Sequence, residues 1–270
     1  MAFTENGGVK IYWEEEGKGA PVLLIMGLGW PSYMWYRTKP LLTGKYRTII
    51  FDNRGAGRSD VPAGPYPIAT MASDAAAVLD AAGVESAHLY GVSMGGMIAQ
   101  EFALQYPRRV KSLILGCTAS GGAEAKRAAP EVIGVLTRQG MTPEEAARAI
   151  NPYIYDKGTP PSRVEEDLKI RLQWTPTFEG YMAQLQGIMM WEAYSRIAQI
   201  VAPSLIVHGE TDQLVPPENG KLIAQRISGS KIVMIPNASH IYSTDQPEAA
   251  HKPVLEFLSA QGVHSASGAA

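Results

Sequence analysis

The sequence predicts an α/β fold, in which a mostly parallel sheet is flanked by helices and a helical cap is inserted near the middle of the chain. Three observations lead to this class. Short apolar runs alternate with longer segments of helical periodicity. Most of these runs are apolar at nearly every position, as in strands covered on both faces. One stretch of about 75 residues contains no good strand pattern, which predicts a separate helical insertion.

The apolar runs define the predicted strands in chain order. They lie at residues 9–13, 22–26, 48–51, 88–92, 110–115, 204–207 and 231–235. The first alternates with a period of two and predicts an edge strand, whereas the others predict buried parallel strands. Helices are predicted between them at residues 68–82, 94–105, 218–227 and 246–258, and Pro107 helps to stop the second of these.

The strand-free stretch divides the chain into a core and a cap. The core is predicted at residues 1–119 and 196–261, and the cap, or lid, at residues 120–195. Within the cap, Thr142 followed by Pro143 indicates a helix start with an N-cap residue. The alternative is a long ordinary crossover, which its length disfavours. Residues 262–270 are small and polar and predict a disordered tail.

The composition favours a small-molecule partner. The 270 residues are 46% hydrophobic and 19% charged, with a net charge of −2 and no polybasic run. This balance disfavours nucleic acid and anionic membranes as partners. No apolar run approaches about 18 residues and no signal-peptide pattern opens the chain, so we expect no membrane insertion and a cytoplasmic location. Cys117 is the single cysteine, which excludes an internal disulfide. No metal or cofactor is expected, and the oligomeric state stays open.

A nucleophile motif follows the strand predicted at residues 88–92. Gly91-Val92-Ser93-Met94-Gly95 matches the G-x-S-x-G elbow, and a helical pattern begins directly after it. A sharp strand-to-helix turn strains the serine backbone and crowds its neighbours, which explains the two glycines. The serine also lies at a helix N-terminus, where developing negative charge is favoured. The alternative is a strand–helix joint in which Ser93 only caps the helix.

A serine nucleophile needs a base, and histidine titrates near the operating pH. His240 follows the last predicted strand through a short loop and is expected at the carboxyl edge of the sheet, where sites form in open α/β folds. The other histidines fit strand, helix or tail positions: His88, His208, His251 and His264. Asp212 follows the preceding strand and is the predicted orienting acid, with Glu210 as the alternative. The order Ser93, Asp212, His240 is typical of Ser…Asp…His hydrolases.

Together these residues resemble the α/β-hydrolase superfamily, and within it the capped esterase and lactonase branch of serine hydrolases. The similarity covers residues 8–258. Asp52-Asn53-Arg54-Gly55-Ala56-Gly57-Arg58-Ser59 resembles the family's D-x-R-G-x-G-x-S turn, which is mainly structural there. A phosphate-cradling loop is the weaker alternative, because no G-K-[ST] accompanies it.

The resemblance also implies an oxyanion hole built from backbone N–H groups. One is the amide of Met94, after the nucleophile, and the other is that of Leu28. Relatives often carry His-Gly before the second donor, whereas this chain has Met26-Gly27. The oxyanion donors are backbone amides, so they do not require the histidine side chain that relatives carry at the position of Met26. The following Gly29 leaves open which amide points inward.

These features predict a carboxylic ester hydrolase that acts through an acyl-enzyme on small to medium apolar esters. The predicted pocket residues are apolar side chains after the second strand and in the cap: Trp30, Met34, Met182, Met189 and Trp191. The methionine stripe could instead be the buried side of a lid helix. Alternatives on the same triad are an enol-lactonase, a carbon–carbon bond hydrolase and a perhydrolase. A ligand receptor of the same fold is the alternative from another class.

Overall fold

In the computed structural model, which describes residues 2–137 and 139–266, eight strands form one sheet in the order β1-β2-β4-β3-β5-β6-β7-β8. The strands are β1 (Ala2–Asn6), β2 (Val9–Glu16), β3 (Ala20–Ile25), β4 (Tyr46–Phe51), β5 (Ala87–Val92), β6 (Val110–Gly116), β7 (Ser204–Gly209) and β8 (Lys231–Ile235). Strands β1 and β2 pair antiparallel with their neighbours, and β3 to β8 pair parallel. The α/β class and the mostly parallel sheet are therefore confirmed.

The predicted edge strand at residues 9–13 is wrong in its position. It is β2, and β1 lies outside it as the true edge. The two strands form a hairpin through Gly7 and Gly8, with φ of 59° and 79°. A two-residue type I′ turn requires positive φ at both positions, which glycine allows. Strand β1 lacks an apolar run because none of its residues is buried, and the apolar-run criterion therefore missed it.

Helices cover both faces of the sheet. They are α1 (Lys39–Thr43), α2 (Ile68–Ala81), α3 (Met94–Gln105), α4 (Pro130–Leu136), α5 (Pro143–Ile154), α6 (Pro161–Arg171), α7 (Phe178–Met190), α8 (Glu218–Arg226), α9 (Tyr242–Asp245) and α10 (Pro247–Ala266). Alternate residues of β3 face opposite cores: Leu23 belongs to the apolar cluster that includes residues of α2, α3 and α8, and Leu24 belongs to the cluster that includes residues of α1 and α10. This two-sided burial explains why the strand is apolar throughout.

A helical insertion, α4–α7, lies between β6 and β7, as the sequence predicts. Thr142 caps α5 by accepting a hydrogen bond from the Glu145 amide, while the Glu145 carboxylate accepts one from the Thr142 amide. This reciprocal capping box and Pro143 at the first helical position start the helix. A small apolar cluster of the insertion includes Val132 and Ile154.

The C-terminal part of the chain differs from the predicted disordered tail. Helix α10 continues to Ala266 and so enters the segment 262–270, and residues 267–270 lie outside the described residues. None of the helices that the structure describes is long and apolar enough to cross a membrane.

Candidate active site

Ser93 lies on a strained turn between β5 and α3. Its φ of 55° and ψ of −124° place a non-glycine residue in a backbone region that L-residues rarely adopt. A Cβ on Gly91 would collide with the carbonyl oxygen of Gly95, and a Cβ on Gly95 would collide with that of Ile25. Both glycines of the motif are therefore required by close backbone packing.

His240 and Asp212 form a buried pair. The Asp212 Oδ2 lies 2.8 Å from His240 Nδ1, and the Oδ1 accepts hydrogen bonds of 2.9 Å from the amides of Leu214 and Val215. Asp212 is 4% exposed and His240 is 6% exposed. Because the carboxylate is an acceptor, Nδ1 of the imidazole is the protonated nitrogen and Nε2 is the nitrogen that can take a proton. Ser93 and His240 line the same cavity.

The pair shifts the pKa values of both groups. Burial would raise the pKa of Asp212, but the charge of His240 and the hydrogen bonds to both histidines outweigh it and lower that pKa. Burial would likewise lower the pKa of His240, but the Asp212 carboxylate, together with the neighbouring Cys117, opposes it and raises that pKa well above 6.5. Asp212 is therefore held as an anion and stabilises an imidazolium.

Two further side chains surround this pair. His208 Nε2 lies 2.8 Å from the Val215 carbonyl oxygen and 3.3 Å from Asp212 Oδ2. Cys117, which has a positive φ of 39°, places its sulfur within 4.8 Å of the nearest ligand atoms of Asp212 and His240. This spacing could bridge a metal, but both carboxylate oxygens already accept hydrogen bonds. The expectation of no metal stays a prediction.

The loop after β3 approaches the nucleophile closely. A Cβ on Gly27 would lie 3.1 Å from the Ser93 Cβ. The Gly29 amide donates a 2.7 Å hydrogen bond to Gln184 Oε1 in α7, and is therefore engaged away from the cavity. Among the described residues, the amides of Leu28 and Met94 have no protein acceptor. The amides of Leu28 and Met94, which the family resemblance implies as oxyanion donors, are thus free of protein acceptors within the described chain.

The D-x-R-G-x-G-x-S turn supports this loop. Asn53 Nδ2 donates to the Met26 carbonyl oxygen at 2.9 Å. Asp52 accepts from the amides of Ser32 and Arg58 at 2.7 and 2.9 Å. These contacts are internal to the fold, which agrees with a structural role for the turn.

A cavity of about 340 Å³ opens above the carboxyl edge of the sheet, with walls from both the core and the helical insertion. Of the predicted pocket residues, Trp30 and Met34 line it. Phe178 and Tyr181 contribute the lining face of α7.

The predictions for Met182, Met189 and Trp191 are wrong, since none of the three lines the cavity. Met182 is half-buried off the lining face of α7, and Met189 is 76% exposed at the far end of that helix. Trp191 is buried against α3, where its Nε1 donates to Glu101 Oε2 at 2.8 Å.

Sequence reasoning missed several wall residues. Tyr90 and Tyr242 line the cavity with their hydroxyl oxygens 2.9 Å apart, and Cys117 and Arg171 also line it. No local pattern marks them, because their place in the wall depends on how β5, β6, α6 and α9 meet.

Comparison with known proteins identifies the family to which this fold belongs. A family model described as "alpha/beta hydrolase fold" matches residues 20–139, and one described as "TAP-like protein" matches residues 192–268. RutD of Azorhizobium caulinodans, provisionally named a carbamate hydrolase, is 32% identical over 95% of this chain and 98% of its own length. The chain belongs to the α/β-hydrolase family. The sequence-based resemblance is thereby confirmed, and this α/β-hydrolase is a hydrolase.

Other relatives of this α/β-hydrolase differ in substrate. The 3-oxoadipate enol-lactonase 2 of Acinetobacter baylyi is 29% identical over 85% of each chain. The structure of a thermophilic esterase from Thermogutta terrifontis has a TM-score of 0.83 and 29% identity, covering 96% of this chain and 97% of that one. The family therefore does not by itself specify the bond that is cleaved.

Proposed function

We propose that this α/β-hydrolase cleaves carboxylic esters through an acyl-enzyme. The observation that carries the proposal is the buried His240–Asp212 pair, which opens on the same cavity as the strained Ser93. A serine hydroxyl becomes an effective nucleophile when a neutral imidazole takes its proton, and a fixed carboxylate holds that imidazole in the required tautomer.

The proposed catalytic cycle uses the Ser93 hydroxyl, the His240–Asp212 pair and two backbone amides. Ser93 Oγ attacks the ester carbonyl while His240 Nε2 takes its proton, and the Leu28 and Met94 amides donate to the oxyanion. His240 then protonates the departing alcohol. Water then gives a proton to His240 and attacks the acyl-enzyme, and the proton returns to Ser93 as the acid leaves. Asp212 stabilises the imidazolium in both half-reactions. The apolar walls favour small to medium ester substrates with an apolar body.

The proposal is tested with p-nitrophenyl acetate, butyrate, octanoate and laurate. Wild type should turn them over with a chain-length optimum that reports the usable depth of the cavity. Ser93→Ala should lower kcat by at least about 10⁴-fold while the circular dichroism spectrum is kept. Ser73→Ala, a half-buried serine of α2 outside the cavity, is the matched control and should keep wild-type turnover.

Folded wild-type protein that turns over none of these esters would contradict the proposal. The next assays would then test hydrolysis of a lactone, hydrolysis of a carbon–carbon bond, and perhydrolysis with hydrogen peroxide and an acyl donor. A ligand screen would test whether the protein binds a ligand tightly without turnover. The enol-lactone comes first among these, because a relative of 29% identity carries that name and a lactone is a cyclic ester.

A further inference from the structure

A guanidinium group forms part of the cavity wall. Arg171 is the last residue of α6 and lines the cavity, with its Cζ 4.5 Å from the centroid of the Trp30 ring. One of its nitrogens donates to Asn151 Oδ1 at 3.3 Å, and that acceptor is neutral. A guanidinium has five N–H donors in a planar fork. The Tyr155 hydroxyl is a second hydrogen-bond partner of Arg171, and it too is neutral. The hydrogen-bond partners of this cation in the described chain are therefore neutral groups.

No carboxylate of the described chain pairs with this guanidinium. No Asp or Glu oxygen of residues 2–137 and 139–266 lies within 4.0 Å of its nitrogens. Asp167 lies one turn earlier in α6, but it accepts from the hydroxyls of Tyr155 and Thr244 at 2.9 and 2.7 Å. Asp167 also pairs with Arg37 at 3.4 Å. The nearest buried acid is thus already engaged elsewhere.

The charge of the cavity wall is one-sided. Among the described residues that line it there is no Asp or Glu, whereas Arg37, Arg171 and His240 are present. Arg37 is neutralised by Glu166 at 2.6 Å, and His240 by Asp212. Arg171 is the remaining cation of this wall, and no acidic residue of the described chain pairs with it. Burial lowers the pKa of this guanidinium, and Tyr155 and Asp167 do not restore it. A partly buried charge without a counter-ion costs free energy that a bound anion recovers.

We propose that Arg171 binds a carboxylate of the substrate, so that this enzyme acts on esters or lactones that carry a carboxylate at the end remote from the scissile carbonyl. The planar guanidinium fork matches a carboxylate with two parallel hydrogen bonds. The rest of the wall is largely apolar and contacts the body of the substrate. This inference rests on the proposed function. It narrows the expected substrate from a neutral ester to an ester with an apolar body and one carboxylate.

The first experiment compares two methyl esters of equal chain length by proton release. Methyl hexanoate ends in a methyl group, and monomethyl adipate ends in a carboxylate. Wild type should show a kcat/KM at least 10-fold higher for monomethyl adipate. Arg171→Met should raise KM for monomethyl adipate by about 10- to 100-fold and leave methyl hexanoate within about 3-fold. Arg171→Lys keeps the charge without the fork and should lie between the two.

Lys169→Met is the matched control. Lys169 is an exposed cation of the same helix, two residues away, and its loss should change neither ester. Equal losses for both esters in the two Arg171 variants would show a structural role and overturn the proposal. Equal kcat/KM for the two esters in wild type would also overturn it.

The second experiment measures binding without turnover. Calorimetry on Ser93→Ala should detect monomethyl adipate, and the added Arg171→Met substitution should weaken its binding by at least 10-fold. Binding lost with Arg171 in a protein that hydrolyses no ester would support the carboxylate site and refute the ester chemistry. Ester turnover without Arg171-dependent binding would support the ester chemistry and refute the carboxylate site.

Discussion

At the scale of single residues, Asp212 carries the most constraints of any side chain in the site. One of its oxygens accepts from two backbone amides and the other faces two histidines. The carboxylate therefore cannot rotate without losing several buried hydrogen bonds, each of which costs about 1–3 kcal/mol to leave unmade. This fixed position holds His240 with its proton on Nδ1, so that Nε2 is its basic nitrogen.

Replacing this acid should mainly affect turnover. Asp212→Asn should lower kcat by about 10³- to 10⁴-fold, because an amide nitrogen facing Nδ1 favours the wrong imidazole tautomer and stabilises no imidazolium. Initial rates with p-nitrophenyl butyrate measure it. Glu210→Gln, in the same turn but exposed, is the matched control and should keep wild-type rates. A larger loss in Glu210→Gln would reverse the assignment of the acid.

The rate should depend on pH through His240. Its pKa is raised by Asp212, so the imidazole stays protonated, and unable to act as a base, up to a higher pH than an isolated histidine. Activity should therefore be present above that pKa and lost as the pH falls through it, with the midpoint of kcat/KM above 6.5. In Asp212→Asn the remaining activity should have its midpoint at lower pH, since the anion is gone. A wild-type midpoint below 6.5 would contradict this electrostatic account.

At the scale of elements, α7 is a structural support of the site as well as part of its roof. Gln184 of this helix is fully buried and uses both ends of its amide. Its Oε1 accepts from Gly29 and its Nε2 donates to the Arg54 carbonyl oxygen, each at 2.7 Å. The helix also packs closely, because Gly180 lies against the backbone of Gly55. The position of the oxyanion loop therefore depends on a helix of the cap.

Loss of the Gln184 amide should impair transition-state stabilisation more than binding. Gln184→Ala should lower kcat by about 10- to 100-fold with a smaller change in KM, because the loop that presents the Leu28 amide loses its anchor. Steady-state kinetics with p-nitrophenyl butyrate separate the two constants. Gln186→Ala, on the exposed side of the same helix, should behave as wild type. An unchanged kcat in Gln184→Ala would show that the loop holds its shape without α7.

At the scale of the whole molecule, the cap is bonded to the core through buried polar groups. Asp167 of α6 is fully buried and accepts from Tyr36, which lies between β3 and β4, and from Thr244 of α9. Trp191, which follows α7, donates to Glu101 in α3. Because these contacts join cap helices to core elements, we expect cap and core to unfold together.

Removal of the Asp167 charge should lower global stability. Asp167→Asn should reduce the free energy of unfolding by about 1–3 kcal/mol, since the hydroxyls that donate to the carboxylate lose part of their buried acceptor capacity. Urea unfolding followed by circular dichroism and by tryptophan fluorescence measures it, and the two transitions should coincide. Glu166→Gln removes an exposed ion pair with Arg37 and should cost less than about 1 kcal/mol. Separate transitions would indicate that the cap unfolds on its own.

Local sequence was sufficient for the buried strands, the elbow and the cap, because each has a short-range physical cause. Strands covered on both faces must be apolar, a strand-to-helix turn as tight as that at Ser93 needs glycines, and the capping box at Thr142 lies within four residues. Strand β1 failed for the complementary reason. None of its residues is buried, so that hairpin geometry and not burial defines it.

The sequence by itself determined the fold class, the family and the order in which Ser93, Asp212 and His240 follow their strands, since these depend on periodicity and on motifs of a few residues. Only the tertiary structure decided which amides are free, which face of α7 lines the cavity, and that Arg171 lies in the cavity wall without an acidic partner. Those properties depend on distances between residues such as Gly29 and Gln184, which are 155 positions apart. No local pattern encodes such a distance, because it is produced by the packing of the cap on the sheet.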